Sequence, residues 1–122
     1  MSNPTQHSVS VETATSGAAT AYTTEVISGQ IQAIKYTKPG SSPLASTADF
    51  TITTEGTGQN LWVDTNINAT ETVYPVVAAN IAGSGAASSL TEVGVYAAQE
   101  RVKIVIAQGG DTKSGTFTII SV

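Results

Sequence analysis

Asp64-Thr65-Asn66-Ile67-Asn68 sets side-chain oxygens at alternate positions, as the opening of a calcium-binding loop does. The rest of such a loop is missing. Its sixth place, where a sharp turn demands glycine, holds Ala69, and its twelfth, where a bidentate Glu closes the shell, holds Pro75. The stretch therefore reads as a polar loop between strands, and no metal is expected. His7 is the only histidine. A general base needs an orienting partner, and a histidine in a polar N-terminal stretch reads as a solvated tail side chain. Gly83-Ser84-Gly85 and Gly109-Gly110-Asp111 are too short to cradle a phosphate, and neither stands between a strand and a helix. Both read as turns. Asn68-Ala69-Thr70 matches a glycosylation acceptor only by chance, since no secretory signal accompanies it. Asp49, Glu55, Asp64, Glu71, Glu92, Glu100 and Asp111 are spread singly, so spacing places no pair for glycosidase-type acid and base work. With no cysteine there is neither disulfide nor thiolate site. The expectation is a chain without catalytic residues or cofactor, and so not an enzyme.

Residue types suited to binding are more informative. Lys35, Arg101 and Lys103 fall on expected strands, and Arg101 and Lys103 share the face opposite Val102, Ile104 and Ile106. That strip reads either as a solvated outer face or as a basic patch for an acidic partner surface. Trp62, Tyr74 and Tyr96 lie in short strands beside loops and suit either core or interface anchoring. Val9 and Val11 alternate with Ser8 and Ser10, which suggests a short strand that pairs with the body of the domain or with a neighbouring subunit. The candidate interface residues are thus Val9, Val11, Lys35, Trp62, Tyr74, Arg101 and Lys103.

The elements that must position them are all β. Nine runs carry strand patterning: 7–12, 22–27, 30–37, 48–55, 61–64, 73–79, 91–96, 101–107 and 115–121. Ser28-Gly29 separates the second and third runs as a tight turn or as a bulge inside one long strand. Lys38 to Pro43 is a turn cluster, Gly56 to Asn60 closes a hairpin, and 82–89 reads as a flexible loop. Pro75 favours an edge position for the strand around it. The last two runs, joined by Gln108 to Lys113, read as the strongest hairpin, with Val102, Ile104, Ile106, Phe117 and Ile119 inward. Short alternating strands without a βαβ rhythm imply a single antiparallel β-sandwich, jelly-roll-like fold or small barrel spanning 21–122. Residues 1–20 form an extended polar N-terminal arm, expected to be mobile in isolation.

Only 11% of the 122 residues are charged, against about 25% in an average soluble domain. Threonine, serine, alanine and glycine fill the places that Lys, Glu and Arg usually take. A net charge of −4 with five basic residues argues against sequence-independent nucleic-acid binding, which needs clustered cations. No apolar run approaches a membrane span and no signal peptide opens the chain, so a soluble product made in the cytoplasm is expected.

From residue 26 onward the order of pieces resembles a group of small virion-associated proteins of tailed bacteriophages. The pieces are Gly29 to Tyr36 (G-x-I-x-A-I-x-Y), Pro39-Gly40, Ala48 to Gly58 (A-D-F-T-I-T-T-E-x-T-G), Tyr74-Pro75, the strand R-V-K-I-V-I-A and Gly109 to Thr116 (G-G-x-x-K-S-G-T). Val76 stands where such proteins tend to carry Arg, and residues 1–20 lie outside the likeness. The resemblance implies an all-β phage structural protein. Its expected role is capsid cement or decoration on the virion exterior, with the major capsid protein and copies of itself as partners. Two other readings are a tail, neck or baseplate component, and a β-sandwich carbohydrate-binding module using Trp62 and Tyr74 as stacking platforms.

Overall fold

The computed structural model describes residues 4–80 and 87–122 as ten strands. They are β1 (Thr5–Glu12), β2 (Ala19–Tyr22), β3 (Ile27–Thr37), β4 (Asp49–Thr54), β5 (Asn60–Asp64), β6 (Glu71–Val73), β7 (Val76–Asn80), β8 (Ala87–Glu100), β9 (Val102–Ala107) and β10 (Ser114–Ser121). A six-stranded sheet runs β1-β10-β3-β8-β7, with β6 also beside β3, and a four-stranded sheet runs β2-β9-β4-β5. Every ladder is antiparallel. The two sheets pack face to face as a β-sandwich, and no helix occurs among the described residues.

Alternation within each strand supplies the core. Val9 and Val11 of β1, Phe117 and Ile119 of β10, Ile34 and Tyr36 of β3, and Val95 and Ala97 of β8 come from one sheet. Phe50 and Ile52 of β4, Trp62 of β5, and Val102, Ile104 and Ile106 of β9 come from the other. Fully burying each large apolar side chain contributes roughly 1.5–3 kcal/mol. Four rings meet at the centre: Tyr36 and Phe117 from the larger sheet, Phe50 and Trp62 from the smaller. Phe50 lies 5.1 Å from Tyr36, 5.0 Å from Phe117 and 5.2 Å from Trp62, edge to face in each case.

Inward stripes in 101–107 and 115–121 follow the alternation, but the two runs do not form a hairpin. β9 pairs with β2 and β4, β10 with β1 and β3, so residues 108–113 cross from one sheet to the other. The crossing is tied down from outside. The Thr13 hydroxyl donates to the Gly110 carbonyl at 2.6 Å and accepts from the Lys113 N–H at 2.8 Å, and the Gly109 N–H donates to the Gly17 carbonyl. Two further runs are interrupted. Residues 23–26 turn between sheets, fixed by the buried Thr23, whose N–H donates to the Val102 carbonyl. Tyr74-Pro75 divides 73–79 into β6 and β7, since proline has no N–H for a ladder. The 91–96 run is part of the 14-residue β8, which begins at Ala87. The loop expected over 82–89 lies outside the described residues at 82–86.

The N-terminal stretch expected as an arm folds onto both sheets. β1 pairs with β10 over eight registers and β2 with β9 over four. Of the two destinations open to Val9 and Val11, the body of the domain is the one realised, because their side chains complete the core over an otherwise bare edge of β10.

Gly29 lies inside β3, so 27–37 is one long strand with no turn at Ser28-Gly29. Gly29 itself pairs in register with Ala97, and the nearby register shift at Ile27/Ser28 comes from the extra residue Gln99 on β8. Gly29 has φ +116°, and a Cβ there would stand 2.2 Å from the Val122 carbonyl oxygen, where the C-terminus exchanges two hydrogen bonds with Gln30. Gly58 has φ +69° but open space around it. Gly58→Ala should therefore cost about 1–2 kcal/mol, the strain of a left-handed backbone alone. Gly29→Ala adds a backbone clash and should exceed about 3 kcal/mol. Urea unfolding of both variants measures the difference, and equal losses would contradict the close approach.

Candidate functional site

The outer face of the six-stranded sheet carries a groove of about 630 Å³. Its floor follows from register. Gln6 of β1, Ile120 of β10 and Ala33 of β3 stand side by side, and Thr118, Lys35 and Thr72 form the next row. One wall rises where the chain leaves β6. β6 follows β3 at residues 34–36 and β8 follows it at 27–31, so Tyr74-Pro75-Val76 departs over the gap between them. Gln30 and Gln32 finish the lining. The Tyr74 ring is 70% exposed. Lys35 is the only charged side chain in the groove and makes no ion pair among the described residues.

A second surface lies on the opposite side of the same sheet. Val95 and Ala97 of β8 point into the core, and by alternation Val93 points the same way, with Val77 of β7 directly across from it. The four-stranded sheet does not reach that far. Val77 and Val93 remain 41% and 43% exposed, so the β7–β8 ribbon carries the inward apolar stripe beyond the body.

The seven candidate interface residues therefore part company. Lys35 and Tyr74 come together in the groove. Val9 and Val11 are buried in β1 and cannot meet a partner while that strand stays paired. Trp62 is 5% exposed and packs on Phe50, so it is a core anchor and not a stacking platform. Its position across from the inward Ile52 dictates this. Lys103 lies on the outer side of β9 and Arg101 immediately precedes that strand, opposite the inward stripe, as the alternation implies. Arg101 is already engaged: Nε and Nη2 donate to the two oxygens of Glu55 at 2.7 and 2.6 Å, and its guanidinium lies 4.3 Å above the Tyr22 ring. The Arg101 hydrogen bond holds the Glu55 carboxyl below its ordinary range, and Glu55 in turn raises Arg101. Tyr96 is exposed on the outer face.

The loop at 64–70 is a structured connection. The Thr65 N–H donates to the Asp64 carboxylate, the Asn66 N–H to Asp49, and Lys38 Nζ to the Asn68 carbonyl at 2.9 Å, with Ile67 buried beneath. No cluster of three metal-binding side chains occurs among the described residues. His7 is half-buried in β1, with Nε2 3.3 Å from the Ser121 hydroxyl. Residues 83–85 lie outside the described residues.

Sequence spacing gave no sign of what Glu100 does. This buried carboxylate accepts from the Gly56 and Thr57 N–H groups, both at 2.7 Å, from the Thr57 hydroxyl, and from the Ala98 N–H at 3.2 Å. It ties the β4–β5 turn to the end of β8. Burial pushes its pKa upward, but the hydrogen bonds from Thr57, Ala98 and Gly56 outweigh that and leave it lowered. The groove glutamines and the Val77–Val93 pair also escaped detection, because neutral polar and apolar residues on a strand carry no chemical signature. Comparison with known protein families, curated proteins and solved structures gives no match for this chain.

A carboxylate whose folded pKa is lowered contributes stability that is complete above its ordinary value of 4.5 and is lost as pH falls through the folded value. Glu100→Gln should thus destabilise by about 1.5–3 kcal/mol at pH 7. Below the folded pKa of Glu100 the deficit should shrink. Urea unfolding of both proteins across that range checks the sign, and a deficit independent of pH would show that the charge is not what matters.

Proposed function

We propose that this chain is a non-catalytic structural protein of a tailed-phage virion that binds the outer capsid shell as a cement or decoration protein. Its partners on this reading are the major capsid protein and further copies of itself. The observation that carries it is the apolar underside of the β7–β8 ribbon. Exposed apolar surface rimmed by polar residues marks interaction sites, and Val77 and Val93 stay partly open to solvent among the described residues. β7 is the outermost strand on its side of the sheet among the described residues, and its edge could also accept an added strand from a neighbour. On a capsid lattice, repetition converts a modest interface into strong retention when the geometry allows simultaneous contacts. The likeness of residues 26–122 to small virion proteins supports the same reading. A body made of sheet, with few charges and its inner polar groups already hydrogen-bonded, suits a protein that works by covering a seam.

Co-sedimentation with expanded capsid shells of the phage that encodes the chain tests this. Saturable binding at a fixed number of copies per major-capsid subunit is expected. The double variant Val77→Ser, Val93→Ser should lose about tenfold or more in affinity, the equivalent of ~1.4 kcal/mol. Val63→Ser, on the outer face of the other sheet, should bind normally. Retention on tails alone would assign the chain to the neck, tail or baseplate instead.

A further inference from the structure

The groove on the outer face faces away from the apolar ribbon underside, and its lining differs in kind. Carboxylates are absent from it. It offers the amides of Gln6, Gln30 and Gln32, each able to donate and accept, together with threonine hydroxyls and the single ammonium of Lys35. The backbone positions of all three are set by the sheet. Gly94 stands beside Gln30, where a Cβ would lie 2.3 Å from the Gln30 amide nitrogen, so its lack of a side chain makes room for that amide. Tyr74 adds a ring left open to solvent at the rim, beside Pro75.

We infer that this groove is a binding site for an oligosaccharide carrying an acidic sugar. A pyranose presents an apolar C–H face and a rim of hydroxyls. An exposed tyrosine ring suits the first, and bifunctional amides and hydroxyls on a flat, pre-formed floor suit the second. The charge pattern selects among sugars. A lone cation in a lining without carboxylates complements one carboxylate on the ligand. An extended peptide is disfavoured, since Tyr74 and Val76 at one wall are the only large apolar side chains that stand clear of the floor. Because the groove and the ribbon underside lie on opposite sides of the sheet, both can be occupied at once.

The test uses the full chain on an array of neutral and uronic- or sialic-acid oligosaccharides, with isothermal titration of the best ligand. Acidic oligosaccharides should be retained. Tyr74→Ala should weaken binding tenfold or more, and Lys35→Gln should abolish the preference for acidic over neutral sugars. Both side chains are exposed, and unchanged urea midpoints will show that both variants fold. Shell binding by both variants should stay normal. An empty array, affinity unchanged in Tyr74→Ala, or loss of shell binding in these variants would overturn the inference, the last by making the groove a protein contact.

Discussion

Phe50 is in edge-to-face contact with three other rings, two of them on the opposite sheet. The spacing of the sandwich follows from that cluster. Each ring is wide enough to span the interval between sheets, and edge-to-face pairs add to the area they bury. Tyr36 is the only one of the four outside the indole that carries a polar atom, and burial raises its phenol pKa while the Leu44 backbone contact draws it back. With the sheets held at this distance, the isoleucines and valines of β3, β4, β9 and β10 fill the remaining depth. The rest of the fold is an arrangement of edges around this centre.

Those edges are unequal. Six strands face four, so the larger sheet overhangs the smaller one. At one end the overhang is closed by β1, whose valines roof the core. At the other it is left open as the β7–β8 ribbon, which continues the inward stripe past the last covering strand. A sheet of matched width would have buried Val93 as thoroughly as Val95. The same overhang makes the groove: β6 and β8 share one flank of β3, and the chain must step away at Tyr74-Pro75 to let both do so.

The polar interior is sparing and complete. Thr13, Thr23 and Glu100 are buried, and each satisfies backbone groups at a place where the chain changes sheet or direction. No buried side-chain nitrogen or oxygen among the described residues lacks a partner. Loops that would otherwise hang free are thereby joined to strands far away in sequence.

How much of this was legible beforehand divides along one physical line. Alternation is a local property, because successive side chains of a strand point to opposite faces, and it determined which residues of 48–55, 101–107 and 115–121 face inward. Turn chemistry is also local, and it located the β4–β5 hairpin, whereas Pro75 was read as a residue inside one edge strand and in fact separates β6 from β7. Pairing is not local. The backbone hydrogen bonds of one ladder resemble those of any other, so adjacent runs looked like a hairpin when β9 and β10 were in fact facing strands of two sheets. Trp62 could serve core or surface until the register placed it beside Ile52, and Lys35 met Tyr74 only because β6 lay down beside β3. The amino-acid sequence by itself determined an all-β chain and the face of each residue. Tertiary structure decided which faces are covered, since coverage depends on the width of the opposing sheet, and no single strand encodes that width.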